Sequence, residues 1–164
     1  MKVTIGDTEL FYETIGTGRL LITLHGGMGL DHSCFRPWLD PLAAHAAIVY
    51  VDQRGHGRSS RPATYDGIDV GTWARDMDAL RAHLGYDKVV LLGHSAGGFI
   101  AQVYALRYGD HLAGLILDST APVIDYGEVI QRNAAARGTP AQLQAVAATF
   151  GGAPFATDDE FHWN

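Results

Sequence analysis

Leu91-Leu92-Gly93-His94-Ser95-Ala96-Gly97-Gly98 decides the fold: a short apolar run breaks into G-x-S-x-G and continues as a helix-compatible pattern. A strand that turns this sharply into a helix forces the corner residue, Ser95, into a strained backbone conformation that small neighbours must tolerate. Gly93 and Gly97 are those neighbours. The turn lifts the Ser95 hydroxyl above the sheet. The Ala96 backbone N–H, at the start of the following helix, faces the place where an oxyanion would form. Ser95 is therefore the candidate nucleophile and Ala96 one candidate oxyanion donor.

Working outward from the elbow, Leu20 to Leu24, Ala47 to Val51, Val89 to Leu92 and Leu115 to Leu117 are short apolar runs. Such runs mark strands buried on both faces of a parallel sheet. Val3 to Ile15 instead alternates apolar and polar residues on both sides of Gly6-Asp7, which predicts an antiparallel hairpin. A helix is predicted from Asp69-Val70, with Trp73, Met77, Leu80 and Leu84 on its apolar stripe; another spans Ala96 to Tyr108 with Phe99, Val103 and Leu106. Strands alternating with helices define an α/β layered domain. Beyond Pro122 the strands stop, and Tyr126 to Arg137 and Pro140 to Phe150 read as helical pieces ahead of Gly151-Gly152-Ala153-Pro154. The expected division is a core over 1–122 and the start of a helical cap over 123–164.

The composition sets outer limits on function. A chain of 164 residues with 47% apolar and 18% charged side chains is globular and long enough for a real core. Its net charge of -6 comes from scattered acids without a basic stripe, so no nucleic-acid partner is expected. Cys34 is the only cysteine, which leaves no internal disulfide and reads as a small buried hydrophobe. The amino-terminal MKVTIGDTELFYE lacks the apolar core of a signal peptide, and no run reaches membrane-spanning length. A cytoplasmic location and no membrane partner are the expectation. The eight histidines offer no ligand pair at metal-binding spacing and no phosphate-loop motif is present, so neither a metal nor another cofactor is expected.

Two further blocks give the elbow its context. Leu24-His25-Gly26-Gly27-Met28-Gly29 ends an earlier strand, and Gly27 is the candidate for a second oxyanion N–H, ahead of Met28. His25 itself reads as a structural hydrogen-bonding residue. Asp52-Gln53-Arg54-Gly55-His56-Gly57 gathers an acid, a base and a histidine in six residues, but its glycines predict a tight turn whose charges pair locally. His94 adjoins the nucleophile in sequence, although neighbours in an elbow point in different directions, so it is expected to pack behind Ser95. Phe35, Trp38 and Trp73 read as core or pocket wall.

The blocks LHGGMG at 24–29, VDQRGHGRSS at 51–60 and LLGHSAGG at 91–98 resemble, in order and spacing, the amino-terminal part of an α/β-hydrolase-fold serine hydrolase. The oxyanion loop is similar to the His-Gly-Gly-x-Gly subgroup, which includes proline iminopeptidases, esterases and lactonases. Proline iminopeptidases usually have proline where this sequence has Met28. The resemblance implies a mostly parallel sheet flanked by helices, with six strands and the beginning of a cap present and the last core strands missing. It also implies a small-molecule substrate carrying an ester, lactone or small amide, attacked by Ser95 to give an acyl-enzyme.

A serine hydroxyl needs a general base, and in this fold the acid and then the histidine follow the serine in sequence. After Ser95 come only His111, roughly 20 Å away by helical rise, and His162 in the terminal segment. Asp118, at the end of a strand, is a candidate acid, with capping of the turn at Ser119-Thr120 as the alternative role. The expectation is that the catalytic histidine lies on a missing or separate segment, a second chain carrying the remaining strands. The isolated chain would then be inactive. The alternative reading is a non-catalytic binding protein on a truncated hydrolase scaffold.

Overall fold

The first structural step is the hairpin closed by Gly6-Asp7. It pairs β1 (Lys2–Ile5) with β2 (Thr8–Ile15) in antiparallel register, Val3 opposite Leu10 and Ile5 opposite Thr8. The computed structural model describes residues 1–27, 29–122 and 127–144. Four further strands follow: β3 (Arg19–Leu24), β4 (Ala46–Val51), β5 (Val89–His94) and β6 (Leu112–Asp118). They assemble in the order β1-β2-β4-β3-β5-β6, antiparallel at the hairpin end and parallel from β4 onward.

Side chains alternate across a strand, so a sheet covered on both sides has two cores. On one face Ile22, Leu24, Val49, Val51 and Leu91 pack with Ala74, Met77 and Leu80 of α1 (Val70–His83) and Ile100, Ala101 and Tyr104 of α2 (Ala96–Arg107). On the other face Leu21, Ile48 and Tyr50 pack with Phe35. The α1 start is fixed by a capping box in which the Asp69 carboxylate accepts from the Thr72 N–H at 2.7 Å. Arg54, after β4, forms a two-pronged pair with Asp76 of α1 at 2.8 and 2.9 Å, and both side chains are buried. That fork ties the loop after β4 to the helix layer.

Two expectations are corrected. The stripe expected to bury α2 does so only in part: Val103 packs at the margin of the core, but Leu106 is 86% exposed, and the buried face is Gly97, Gly98, Ile100, Ala101 and Tyr104. The elbow brings this helix so close to the sheet that small residues must face it. β6 is not buried on both faces either. Leu115, Ile116 and Leu117 are exposed, because β6 is the sheet edge among the described residues.

The chain divides into two compact units, Met1–Pro122 and Val123–Asn164. In the second, α3 spans Gly127–Arg137 and residues 140–144 are helical. The remainder of the expected Pro140 to Phe150 helix, the Gly151-Gly152 stretch and His162 lie outside the described residues. No described helix is long and apolar enough to cross a membrane.

Candidate active site

Ser95 sits between β5 and α2 at φ 50°, ψ -115°, a region that non-glycine residues enter only when their surroundings impose it. The surroundings here are backbone. A Cβ on Gly97 would lie 2.1 Å from the Leu24 carbonyl oxygen and 2.8 Å from that of His25, so only glycine lets the elbow sit against the end of β3. The Ser95 N–H donates to the Asp118 carbonyl at 2.9 Å. Its own carbonyl accepts from the Gly98 N–H at 2.9 Å and from the Thr120 hydroxyl at 2.8 Å. The Ser95 side chain is half-buried, and its hydroxyl makes no hydrogen bond among the described residues.

The glycine loop after β3 comes up against this corner. A Cβ on Gly26 would stand 2.9 Å from the Ser95 Cβ and 2.9 Å from His94 Cδ2, which brings the candidate oxyanion loop beside the candidate nucleophile. Gly27 has φ +67°. Neither its N–H nor that of Ala96 is spent on a hydrogen bond among the described residues. Met28 lies outside the described residues.

His25 is fully buried and supports the loop. Its Nδ1 lies 3.0 Å from the Gly26 carbonyl, its Nε2 receives the Gln53 N–H at 3.4 Å, and the Gln53 side-chain amide donates to its carbonyl at 2.9 Å. Burial pushes the His25 pKa down to about 4, and burial likewise lowers that of His56, whose ring meets His25 edge-on at 5.4 Å. In the unfolded chain an imidazole takes up its proton near 6.5. The unfolded state therefore binds more protons between about 6.5 and about 4, and His25's contribution to stability is lost as pH falls through that window. Urea unfolding at about pH 5 should show about 2 kcal/mol less stability than at about pH 7.5 from His25 alone, a difference that a His25→Asn variant lacks.

The tempting block 52–57 is architectural. The buried Asp52 accepts from the His32 N–H at 3.0 Å, from His32 Nδ1 at 2.6 Å and from the Arg58 N–H at 2.8 Å. Arg54 reaches beyond the block to Asp76 and Asp7, rather than pairing locally as expected. Trp73 donates its indole N–H to the Arg54 carbonyl at 3.0 Å, which makes it part of the same frame. Asp31, His32 and Asp52 bring three metal-competent atoms within 4.8 Å of one another. The Asp52 oxygens and both His32 nitrogens already serve protein partners, Arg58 among them, so this donor set fits a hydrogen-bonded scaffold better than a cation.

The remaining candidates separate. Asp118 ends β6 opposite His94, and its carboxylate takes His94 Nδ1 at 2.8 Å and the Ser119 hydroxyl at 3.0 Å. The His94 contact, then Ser119, holds that carboxyl below its usual range. His94 lies edge-on to Phe35 at 6.4 Å, half-exposed instead of hidden behind Ser95. His111 closes the turn after α2, bound to Asp78 at 2.8 Å and stacked on Tyr108. Cys34 is exposed, correcting the expectation of a buried hydrophobe, because the short helical turn His32–Phe35 buries His32 and Phe35 and turns the residues between them outward. Trp38, expected in a core or pocket wall, is 79% exposed. Gln53 and Thr120 are given no role of their own by the sequence: Gln53 is read only as part of a tight turn and Thr120 only as part of the turn after Asp118, yet both hold the site, Gln53 through the His25 carbonyl and Thr120 through the Ser95 carbonyl.

Residues 19–164 match the family model described as the alpha/beta hydrolase fold, and the chain belongs to that family. Among curated relatives, a proline iminopeptidase, PfmaB, of Pestalotiopsis fici is 42% identical over 127 residues, 73% of this chain and 43% of the relative. A soluble epoxide hydrolase of a Corynebacterium species is 36% identical, covering 77% of this chain and 44% of its own length. A thermophilic esterase from Thermogutta terrifontis superposes with a TM-score of 0.71 at 28% identity, over 91% of this chain and 58% of that structure. The chain thus spans less than half the length of the two curated relatives.

Proposed function

We propose that the chain is the nucleophile-bearing part of a serine hydrolase acting on a carboxylic ester, lactone or small amide. The observation that supports it most is the conjunction at Ser95: a strained corner residue whose hydroxyl makes no hydrogen bond among the described residues, next in the chain to the Ala96 amide and packed against Gly26, whose neighbour Gly27 carries a second amide unspent among those residues. The family's hydrolases, an iminopeptidase and an esterase among them, make the same class of chemistry the natural reading.

In this reading Ser95 Oγ attacks the substrate carbonyl carbon as its proton passes to a histidine. The carbonyl π electrons move to oxygen, where the Gly27 and Ala96 N–H groups receive the charge. Collapse of that intermediate expels the leaving group, which takes the proton from the histidine. Water, activated by the same base, then clears the acyl group. The histidine comes from a segment beyond this chain that adds the remaining strands along the exposed β6 edge; Leu115, Ile116 and Leu117 present an apolar edge of the kind that takes another strand. Asp118 is the candidate acid only if that histidine displaces His94 from its carboxylate. The test is turnover of p-nitrophenyl esters by the chain with its complement and by the Ser95→Ala variant: loss of turnover supports the reading, and retained turnover overturns it.

A further inference from the structure

The Ser95 carbonyl and the Ala96 N–H belong to one peptide group, as do the Gly26 carbonyl and the Gly27 N–H. Both peptides are trans. In a trans peptide the C=O and N–H lie in one plane on opposite edges, so a donor holding the oxygen sets the direction in which the amide points. Each of these two oxygens is held by a side chain. Thr120 Oγ1 donates to the Ser95 carbonyl at 2.8 Å, and His25 Nδ1 lies 3.0 Å from the Gly26 carbonyl. The backbone donor at His25 Nε2 makes that nitrogen the acceptor, which leaves the proton on Nδ1, facing Gly26.

We propose that Thr120 and His25 are paired positioning residues, each locking the peptide of one oxyanion amide from behind, so that the Ala96 and Gly27 N–H groups converge on one point. The inference rests on Ser95 being the nucleophile. Two features separate this role from general packing. The Ser95 carbonyl already accepts the Gly98 N–H at 2.9 Å, so the Thr120 hydroxyl is not needed to satisfy it and instead fixes its plane. Thr120 is also only half-buried, so its side chain contributes little to any core. An amide aimed in advance stabilises charge that develops only in the transition state, and it acts on kcat more than on KM.

The experiment compares Thr120→Val, which keeps the methyl group and loses the hydroxyl, with Thr120→Ser, which does the reverse. With the complemented protein and a p-nitrophenyl ester, Thr120→Val should lower kcat about 10- to 100-fold at unchanged KM, and weaken a trifluoromethyl ketone inhibitor by a similar factor. Thr120→Ser should remain near the parental rate. For His25, whose replacement also removes its other hydrogen bonds in the loop, nitrogen-15 spectra of the unaltered 164-residue chain should show the neutral Nδ1–H tautomer. Ser95→Ala is the control: if it turns over normally, the nucleophile reading fails. If Ser95→Ala is inactive while Thr120→Val matches the parental kcat, the positioning inference alone fails. An Nε2–H tautomer for His25 likewise overturns its part, whatever the activity.

Discussion

Ser95→Ala is expected to lower kcat/KM of the complemented enzyme by about 10⁴-fold or more, with little change in folding. The substitution removes one oxygen that makes no hydrogen bond among the described residues, so no hydrogen bond among them is lost with it. The backbone strain at φ 50° remains, since alanine meets the same steric limits as serine there. On the proposed reading, what goes is the covalent route itself. Residual acceleration over water would come from the Gly27 and Ala96 amides and from substrate binding, which together leave roughly 10³- to 10⁴-fold in hydrolases of this design. A variant with normal melting and this loss assigns the nucleophile; one that loses both activity and fold would place Ser95 in the scaffold instead.

Gly97→Ala should be among the most damaging single methyl additions at the described glycines. The added carbon would sit 2.1 Å from the Leu24 carbonyl oxygen, 2.6 Å from the Leu24 carbonyl carbon and 2.8 Å from the His25 carbonyl oxygen. None of these is the end of a flexible side chain. Relief requires α2 to move away from the end of β3, and α2 is held by Ile100, Ala101 and Tyr104 in the core. Overpacking of this kind costs about 3 kcal/mol or more, equivalent to a melting temperature lower by roughly 10 °C in a chain of this size. The same movement would draw the elbow away from Gly26, so the labelling rate of Ser95 should fall with the stability. A melting temperature within about 1 °C of the parental chain would show that the elbow is looser than its geometry implies.

The parts of this fold that were legible in the sequence are those governed by local periodicity and turn chemistry. The hairpin around Gly6-Asp7, the parallel strands, the Asp69 cap and the elbow all carry their signal within a few residues. The face of α2 was not legible, because apolar periodicity assumes that large residues point inward, and here the close approach of helix to sheet reverses the choice in favour of Gly97, Gly98 and Ala101. The same limit applies at the site. Ser95, Gly27 and Ala96 are marked by short motifs, whereas Thr120 touches Ser95 only after β6 has paired beside β5, twenty-five residues on in the chain. Arg54 was misread for a related reason: its partner Asp76 lies 22 residues away on α1, where a local turn reading has no access.

On the proposed reading, the pairing of His94 with Asp118 constrains how an incoming histidine is oriented. Asp118 lies opposite His94 in the strand register, and its oxygens are committed to His94 and Ser119. A histidine arriving from outside must either compete for it or bring an acid of its own. On the proposed reading, the described residues supply attack and oxyanion stabilisation and leave proton transfer to another segment.

The central claim is tested most directly by fluorophosphonate labelling followed by peptide mapping of the modified chain. With the complement present, a single phosphonyl group should appear on Ser95, in the peptide containing Gly93-His94-Ser95-Ala96-Gly97, and at a far lower rate on the 164-residue chain alone. Modification of a different residue, or no modification when the complement is bound, would contradict it.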